Sequence, residues 1–317
     1  MKENSPINNS SYLPKNGSID YMTVSDGTRL RWGFFPAMGE KKATILMVSG
    51  HREFLEKQTE FIEDLQKRGL DVYAYDHRGQ GGSDRKLDNK IKSHNPDFGL
   101  IVEDMHEVVT RLINPDALDG PLYMSAHSMG TQFAMRYLHD HPGVFERAVL
   151  MAPFTNFNIG SGIFTFFTKL YAHLANFLGF SEYFAPRQAH HRDMIDHGDA
   201  FSRLTHDRAR YDWSQLAQDE KPELFIGGVT FGWLKGVMKS MKILQTPGYV
   251  DAIEVPLLVL LADEEHVVDN EMTIKLVGRM KNARYETIVG ARHELYRESD
   301  EFRNQVLDKI TTFLVGN

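Results

Sequence analysis

From residue 43 onward the chain alternates short apolar stretches with amphipathic stretches, and this alternation limits the fold more than any other feature of the sequence. The predicted strands are 44–48, 72–75, the run from 122 to the serine at 128, 147–151, 257–261 and 285–289. The predicted helices are 58–68, 101–113, 131–139, 271–280 and 300–314. Strands that alternate with helices favour parallel pairing with both faces covered. We therefore expect an α/β fold with a mostly parallel central sheet flanked by helices.

The remaining segments suggest how the chain is divided. Residues 1–18 are polar and rich in Asn, Ser and Pro, so we predict a disordered lead-in. Tyr21–Val24 and Leu30–Phe35 flank an Asp-Gly turn signal and predict a hairpin. The interruption at residues 155–252 is too long for a loop and predicts an inserted helical cap. The core would then comprise residues 19–154 and 253–317.

Composition excludes several classes of function. The chain has no cysteine, so disulfides and thiolate chemistry are excluded. With a formal net charge of −7 and no long basic tract, nucleic-acid binding is not expected. The sequence has no secretory signal pattern and no apolar run that could span a bilayer, so we predict a cytoplasmic protein.

A group of histidines in the interruption raises the question of a metal site. These residues are His190, His191, His197 and His206, with Asp193 and Asp196 nearby. They do not follow a strict ligand pattern such as His-Glu-x-x-His. We therefore expect no metal.

The apolar run before Ser128 ends in Ala126-His127-Ser128-Met129-Gly130. This is a small-x-Ser-x-Gly form of the nucleophile elbow, in which a sharp strand-to-helix turn presents the serine hydroxyl. The turn crowds helix against strand, so the positions two residues either side of the serine must be small. Ser128 is thus a candidate nucleophile, although a buried serine with a satisfied hydroxyl would give a similar pattern.

Candidate partners of Ser128 should follow the carboxyl ends of other strands, because functional residues of parallel sheets meet at that edge. The Gly50-His51 turn follows the first predicted parallel strand, and its backbone N–H could form an oxyanion hole with that of Met129. Histidine 293 follows the last strand and has a side chain suited to general-base catalysis. The acids after the strand at 257–261 are Asp263, Glu264, Glu265 and Asp269, and position alone leaves them as alternatives.

The order serine, acid, histidine is that of α/β-hydrolases. With these landmarks the chain resembles the family of monoacylglycerol lipase-like enzymes and bacterial lysophospholipases. The resemblance is carried by residues 50–53, 76–83, 126–130, 265–270 and 291–294, and by 204–208 and 227–230, which are similar to the bacterial lysophospholipase branch. It implies an α/β-hydrolase fold over nearly all of the chain after residue 20.

Position by position, the resemblance implies Ser128 as nucleophile, Glu265 as acid and His293 as base. The amides of His51 and Met129 would be the oxyanion donors. Many relatives have aspartate in place of Glu265, so Asp263 and Asp269 stay open as alternatives.

The implied activity is hydrolysis of the carboxylic ester of a single-chain lipid, a lysophospholipid or a monoacylglycerol, through an acyl-enzyme and without a cofactor. An acyltransferase or general carboxylesterase with the same triad, and a non-catalytic binding protein, are the alternatives. Apolar residues at helical spacing between Ile163 and Phe180 predict a cap helix that packs on the core, lines an acyl tunnel or contacts the inner face of a membrane. Head group, chain length and oligomeric state stay open.

Five other residues receive structural interpretations from the sequence. Asp76 and Arg78 are predicted to form a buried ion pair that braces their loop. Glu53 is predicted either to hold the neighbouring turn by hydrogen bonds or to be a plain surface acid. Trp213 and Trp233 are predicted to be packing anchors.

Overall fold

One eight-stranded sheet organises the fold in the computed structural model, which describes residues 12–157, 174–186, 188 and 199–316. The strands are β1 Ser18–Thr23, β2 Arg29–Phe35, β3 Ala43–Val48, β4 Leu70–Tyr75, β5 Leu122–His127, β6 Arg147–Met151, β7 Leu257–Ala262 and β8 Ala283–Ile288. Their order is β1-β2-β4-β3-β5-β6-β7-β8. The β1–β2 and β2–β4 pairs are antiparallel and the other pairs are parallel. The predicted hairpin and mostly parallel sheet are confirmed.

The central strands are buried along their whole length because both faces of the sheet are covered. Every residue of β3, β5 and β7 is buried. Along β7, Leu257, Val259 and Leu261 pack into one apolar cluster, whereas Leu258 and Leu260 pack into the cluster on the opposite face. Alternate side chains of a strand point to opposite faces, so a continuous apolar run fits a strand covered on both sides.

Helices cover the sheet and fill the segment between β6 and β7. They are α1 Thr59–Lys67, α2 Gly99–Glu107, α3 Gly130–Asp140, α4 Asp199–Leu204, α5 Arg208–Glu220, α6 Phe231–Gln245, α7 Asn270–Val277 and α8 Asp300–Val315. A π-helical segment, Val108–Ile113, continues α2. Short 3₁₀ turns lie at Leu55–Gln58, Pro115–Ala117, Pro222–Leu224, Val250–Ala252 and Leu295–Arg297.

Side-chain caps fix where three of these helices begin. The Asp207 carboxylate accepts the N–H of Arg210 at the start of α5, and the Thr230 hydroxyl accepts the N–H of Trp233 at the start of α6. The Asp269 carboxylate accepts the N–H of Met272 at the start of α7. Such caps satisfy amides that have no partner inside the helix.

The segment between β6 and β7 contains α4, α5 and α6, and the proposed cap boundaries at 155 and 252 stay a prediction. Trp233 is buried, and Trp213 packs against the ring of Tyr12 with centroids 4.8 Å apart. Residues 163–173 of the predicted cap helix lie outside the described residues. The apolar residues that follow are exposed, with Phe177 85% and Leu178 58% accessible. These two side chains therefore do not pack on the core.

Tyr12 lies within the segment that the composition predicts to be disordered. Tyr12 is only 1% exposed and packs with Phe54 and Leu224, so packing holds the chain at this residue. Residues 1–11 lie outside the described residues. Composition missed the contact because a single aromatic ring, rather than a run of apolar residues, holds the segment.

The predicted Asp76–Arg78 ion pair is wrong. Asp76 pairs instead with Arg31 of β2, with Oδ2 2.8 Å from Nε. Arg78 pairs with Asp104 of α2 and with Asp26, the latter at 2.7 Å. The two residues lie in one turn, but their side chains form ion pairs with different neighbours.

Two findings concern membranes and metals. Among the helices of the described residues, none combines the length and the apolar character needed to cross a bilayer. Of the histidines considered for a metal site, His190, His191 and His197 lie outside the described residues, and His206 binds carboxylates. No group of three or more potential metal ligands occurs in the part of the chain that is described.

Candidate active site

Ser128 occupies a strained turn between β5 and α3. Its φ angle is +48°, in the left-handed region that side chains other than glycine avoid. Its N–H donates to the carbonyl oxygen of Met151 at 3.0 Å. A Cβ at Gly130 would lie 2.5 Å from the carbonyl oxygen of Ser49 and closer still to that of Val48. The small residue expected two positions after the serine is therefore required by the approach of the β3 backbone.

The imidazole of His293 lies between Ser128 and Glu265. Its Nε2 is 2.9 Å from Ser128 Oγ, and its Nδ1 is 2.9 Å from Glu265 Oε2. Ser128 is 8% exposed and His293 3% exposed. Ser128 is 165 residues from His293 in sequence, and His293 is 28 residues from Glu265, yet the three side chains form one line of hydrogen bonds at the carboxyl edge of the sheet.

The Glu265 carboxylate is fixed by its own loop. It accepts the backbone N–H of Val267 at 2.7 Å and of Val268 at 3.1 Å. Burial disfavours the charged carboxylate, but His293 and these two N–H groups outweigh that effect and hold the pKa of Glu265 below its usual value. Glu265 is therefore an ionised acceptor facing Nδ1.

The other acids of this loop have different partners. Asp263 accepts the N–H of Gly290 at 3.0 Å, and Asp269 caps α7 and binds Asn156. Glu264 faces Arg292, 3.3 Å from its Nε. The structure thus brings only Glu265, of the four candidate acids, to His293.

The turn after β3 approaches the serine closely. A Cβ at Gly50 would lie 3.1 Å from Ser128 Cβ. Within the described residues, the backbone N–H groups of His51 and Met129 donate no hydrogen bond. Both amides adjoin the Ser128 turn and remain available to a ligand, as an oxyanion hole requires.

The side chain of His51 is neutral and is held by contacts with Ser93 and Trp233. Its Nε2 lies 2.9 Å from Ser93 Oγ, and its ring packs on Trp233. Burial, together with the nearby positive charges of Arg52 and Lys57, lowers the pKa of His51 well below its usual value.

A buried ion pair between Glu53 and His127, the residue before Ser128, was not predicted from the sequence. Glu53 Oε1 lies 2.5 Å from Nδ1 of His127, and its Oε2 accepts the N–H of Gly50 at 2.5 Å. The predicted role of Glu53 in holding this turn is confirmed. Nε2 of His127 donates to the carbonyl oxygen of His293 at 3.1 Å. His127, which lies inside the elbow motif, was the residue in the sequence that could have indicated this pair.

Burial and pairing act in opposite directions on these two groups. Burial disfavours both charges, but their mutual attraction and hydrogen bonds prevail, so the pKa of Glu53 is lowered and that of His127 is raised. The pair is therefore ionised. It links the turn at Gly50, the serine turn and the loop of His293.

Residues of the segment between β6 and β7 also bind the loop of His293. The fully buried carboxylate of Glu298 accepts from His206 Nδ1 at 2.9 Å, from the N–H of His206 at 2.8 Å and from the N–H of Arg292 at 2.7 Å. The N–H of Glu294 donates to the carbonyl oxygen of Leu204 at 2.8 Å. Residues 204–206 and the loop of His293 thus form one packed unit.

Comparisons with known proteins identify the family of the chain. Residues 39–300 match the hydrolase family described as serine aminopeptidase, S33. The chain is 31% identical over 271 residues to the probable lysophospholipase L2 of Haemophilus influenzae, covering 85% of this chain and 83% of that protein. The chain belongs to this family of α/β-hydrolases. The predicted resemblance to bacterial lysophospholipases is confirmed.

Other members of the hydrolase family extend the similarity. The chain is 25% identical over 294 residues to a monoacylglycerol lipase of Mycolicibacterium smegmatis, covering 92% of this chain and 94% of that one. A soluble variant of monoglyceride lipase from Saccharomyces cerevisiae has the same fold, with a TM-score of 0.76, 18% identity and 94% of both chains covered. The α/β-hydrolase fold is confirmed, and so is the predicted enzyme class, a carboxylic ester hydrolase, at the level of the family.

Proposed function

We propose that this protein hydrolyses the carboxylic ester of a single-chain lipid, a lysophospholipid or a monoacylglycerol, with Ser128, His293 and Glu265 as the catalytic triad. The line of hydrogen bonds from Glu265 through His293 to Ser128 carries the proposal. It is the arrangement in which a histidine can activate a serine and a carboxylate can stabilise the imidazolium that forms.

In the first half of the reaction Ser128 Oγ attacks the ester carbonyl carbon while His293 Nε2 accepts the hydroxyl proton. The carbonyl oxygen becomes an oxyanion that the amides of His51 and Met129 stabilise, each by about 3 kcal/mol. Collapse of this intermediate breaks the bond to the alcohol. The same proton passes from Nε2 to the departing alcohol oxygen and leaves an acyl-enzyme on Ser128.

In the second half a water molecule attacks the acyl carbon. His293 accepts one proton of this water and returns it to Ser128 Oγ when the acyl bond breaks. The products are a fatty acid and the free enzyme. Throughout, Glu265 keeps its charge and holds the imidazole in the tautomer with the proton on Nδ1.

The names of the relatives support the substrate class. The similar bacterial proteins are called lysophospholipases, and a more distant relative is called a monoacylglycerol lipase. Both names denote enzymes whose substrates are esters with a single acyl chain. We carry this substrate class to the present chain as part of the proposal.

Exposed apolar side chains support peripheral contact with a lipid surface. Leu174, Phe177, Leu178, Phe180 and Tyr183 lie between β6 and β7 and are each at least 45% exposed. Apolar side chains on a protein surface can enter the headgroup region of a bilayer. We expect co-sedimentation with phosphatidylcholine vesicles to be reduced in Phe177→Ser, whereas equal binding of the two proteins would contradict this contact.

The activity is tested with purified protein on lysophosphatidylcholine, 1-monooleoylglycerol and p-nitrophenyl butyrate. We expect fatty acid release from at least one of the two lipids. Activity on the short soluble ester alone would overturn the lipid substrate. Addition of an alcohol acceptor separates hydrolysis from acyl transfer, because a transferase would yield a new ester in place of the free acid.

The nucleophile is tested with a fluorophosphonate probe on Ser128→Ala and on Ser125→Ala. Ser125 is a buried serine of the same strand, and its hydroxyl has no partner among the described residues, which makes it a matched control. We expect labelling of the wild type and Ser125→Ala but not of Ser128→Ala. Absence of labelling in all three would favour a non-catalytic protein.

A further inference from the structure

A basic cleft lies beside the turn between β1 and β2, at the edge of the sheet where β4 ends. Its volume is about 590 Å³. Four cationic side chains line it, Arg78, Arg85, Lys86 and Lys90, with two carboxylates, Asp26 and Asp84. The excess of positive charge contrasts with the chain as a whole, whose formal net charge is −7.

Only one of the four cations has its charge balanced by close carboxylates. Arg78 pairs with Asp104 and Asp26. In the part of the chain that is described, Arg85, Lys86 and Lys90 form no ion pair. Asp84 faces Arg29, whose Nε is 4.0 Å away.

Arg85 is the residue that most requires a negative partner. Its guanidinium is partly buried, and it donates to the carbonyl oxygens of Gly81, Lys90 and Phe225 at 2.6–2.8 Å. These bonds use three of its five N–H groups. Burial lowers the pKa of Arg85 to about 10; the attraction of Asp76 and Glu223 offsets this effect only in part, and neutral carbonyls do not replace the lost hydration of a cation. An anion in the cleft would relieve this cost.

The cleft lies close to the serine turn. His94 and Asn95 line the cleft and also a small neighbouring cavity that Met129 lines. His94 adjoins Ser93, whose hydroxyl binds His51. The wall of the cleft is thus continuous with the residues around the candidate oxyanion hole.

We propose that this cleft binds a phosphate group. Guanidinium and ammonium groups that lack carboxylate partners are the side chains that bind phosphate in proteins, and the volume accommodates a phosphate with a small organic substituent. The phosphate is either that of a lysophospholipid headgroup, which rests on the proposed function, or that of a free phosphate or phosphate ester, which does not.

Binding is tested by isothermal titration calorimetry of the full chain with inorganic phosphate and with sn-glycerol 3-phosphate at low ionic strength. The double variant Lys86→Gln/Lys90→Gln removes two exposed cations and leaves Arg85 to hold its loop. We expect its affinity to be at least about tenfold lower than that of the wild type. The matched control Lys275→Gln/Lys281→Gln removes two exposed cations at the opposite edge of the sheet and is expected to leave the affinity unchanged.

Kinetics with the same variants separate the two sources of phosphate. For a lipid headgroup, the KM for a lysophospholipid rises about tenfold in the double variant, while the KM for a monoacylglycerol does not change. For a free phosphate, binding is lost and both KM values stay at the wild-type level. Either result supports the site, and a protein without esterase activity would leave the calorimetric result intact.

Two results would overturn the site. One is the absence of saturable binding of both phosphate compounds to the wild type. The other is equal affinity in the wild type and in the double variant, with equal thermal unfolding temperatures showing that both are folded.

Discussion

The carboxylate of Glu53 and the imidazole of His127 form a buried ion pair, with Oε1 2.5 Å from Nδ1, immediately before the candidate nucleophile. Through Gly50 this pair reaches the turn after β3, and through the carbonyl oxygen of His293 it reaches the loop of the candidate base. Neither side chain contacts Ser128 Oγ within the described contacts. We therefore interpret the pair as positioning the groups around the serine.

The first prediction concerns this pair. Glu53→Gln removes one charge of a buried ion pair and leaves His127 uncompensated, so we expect a loss of about 3 kcal/mol in the free energy of unfolding. Because the Gly50 turn and the His293 loop lose a common support, kcat should also fall, by about tenfold or more. Urea unfolding and steady-state kinetics well below the unfolding temperature measure both effects. Glu103→Gln, an exposed carboxylate on α2, serves as control. Wild-type kcat in a folded Glu53→Gln protein would contradict a positioning role.

The second prediction separates the candidate acids. Glu265→Gln keeps the shape of the side chain but cannot stabilise the imidazolium, so we expect kcat to fall on the order of 10³-fold or more. Asp263→Asn and Asp269→Asn should retain nearly wild-type kcat, because their carboxylates bind Gly290 and the start of α7. A comparable loss of kcat in either aspartate variant would shift the role of acid to that residue.

The third prediction tests the close contact at the elbow. Gly130→Ala places a methyl group against the backbone carbonyls of Val48 and Ser49, which cannot move without displacing β3. We expect a loss of about 1–3 kcal/mol in the free energy of unfolding and slower fluorophosphonate labelling. Gly278→Ala is the matched control, since its nearest atom would be 3.4 Å away and its φ is −62°. Equal stability of the two variants would show that the elbow tolerates a side chain.

The fourth prediction concerns acid stability. Burial opposes the charge of Glu294, but Arg297 and Lys57 outweigh it and lower the pKa of its carboxyl from 4.5 to about 2. A carboxyl whose pKa is lowered by folding stabilises the native state above its unfolded pKa, and the contribution is lost as pH falls from about 4.5 towards 2. The shift corresponds to a contribution on the order of 3 kcal/mol.

The measurement for Glu294 is urea unfolding as a function of pH. The difference in free energy of unfolding between wild type and Glu294→Gln should be largest near pH 7 and shrink between pH 4.5 and 2. A difference that stays constant over this range would show that the carboxyl of Glu294 is not perturbed by folding.

The sequence was informative wherever a local pattern determines the structure. Continuous apolar runs predicted the parallel strands because both sheet faces are buried, and β6 begins and ends at the predicted residues. The expected positions of Ser128 and His293 followed from the rule that strand ends meet at one edge. The acid could not be chosen from spacing alone, because four carboxylates share one loop and only the backbone path directs Glu265 inward.

Contacts between distant segments escaped prediction for a physical reason. Asp76 pairs with Arg31 because β2 and β4 are adjacent and antiparallel, and this register is not visible in either strand alone. The same holds for Glu53 with His127, which β3 and β5 bring together, and for Tyr12 with Trp213. Each of these pairings depends on which elements become neighbours in space.

The buried carboxylate of Glu298 links the segment between β6 and β7 to the loop of the candidate base, His293. It binds the backbone N–H and the imidazole of His206, and also the N–H of Arg292 in the loop that carries His293. Displacement of residues 204–206 would therefore shift the imidazole of His293 relative to Ser128 Oγ. The hydrogen-bond geometry between His293 and Ser128 thus depends on a segment outside the sheet as well as on the sheet itself.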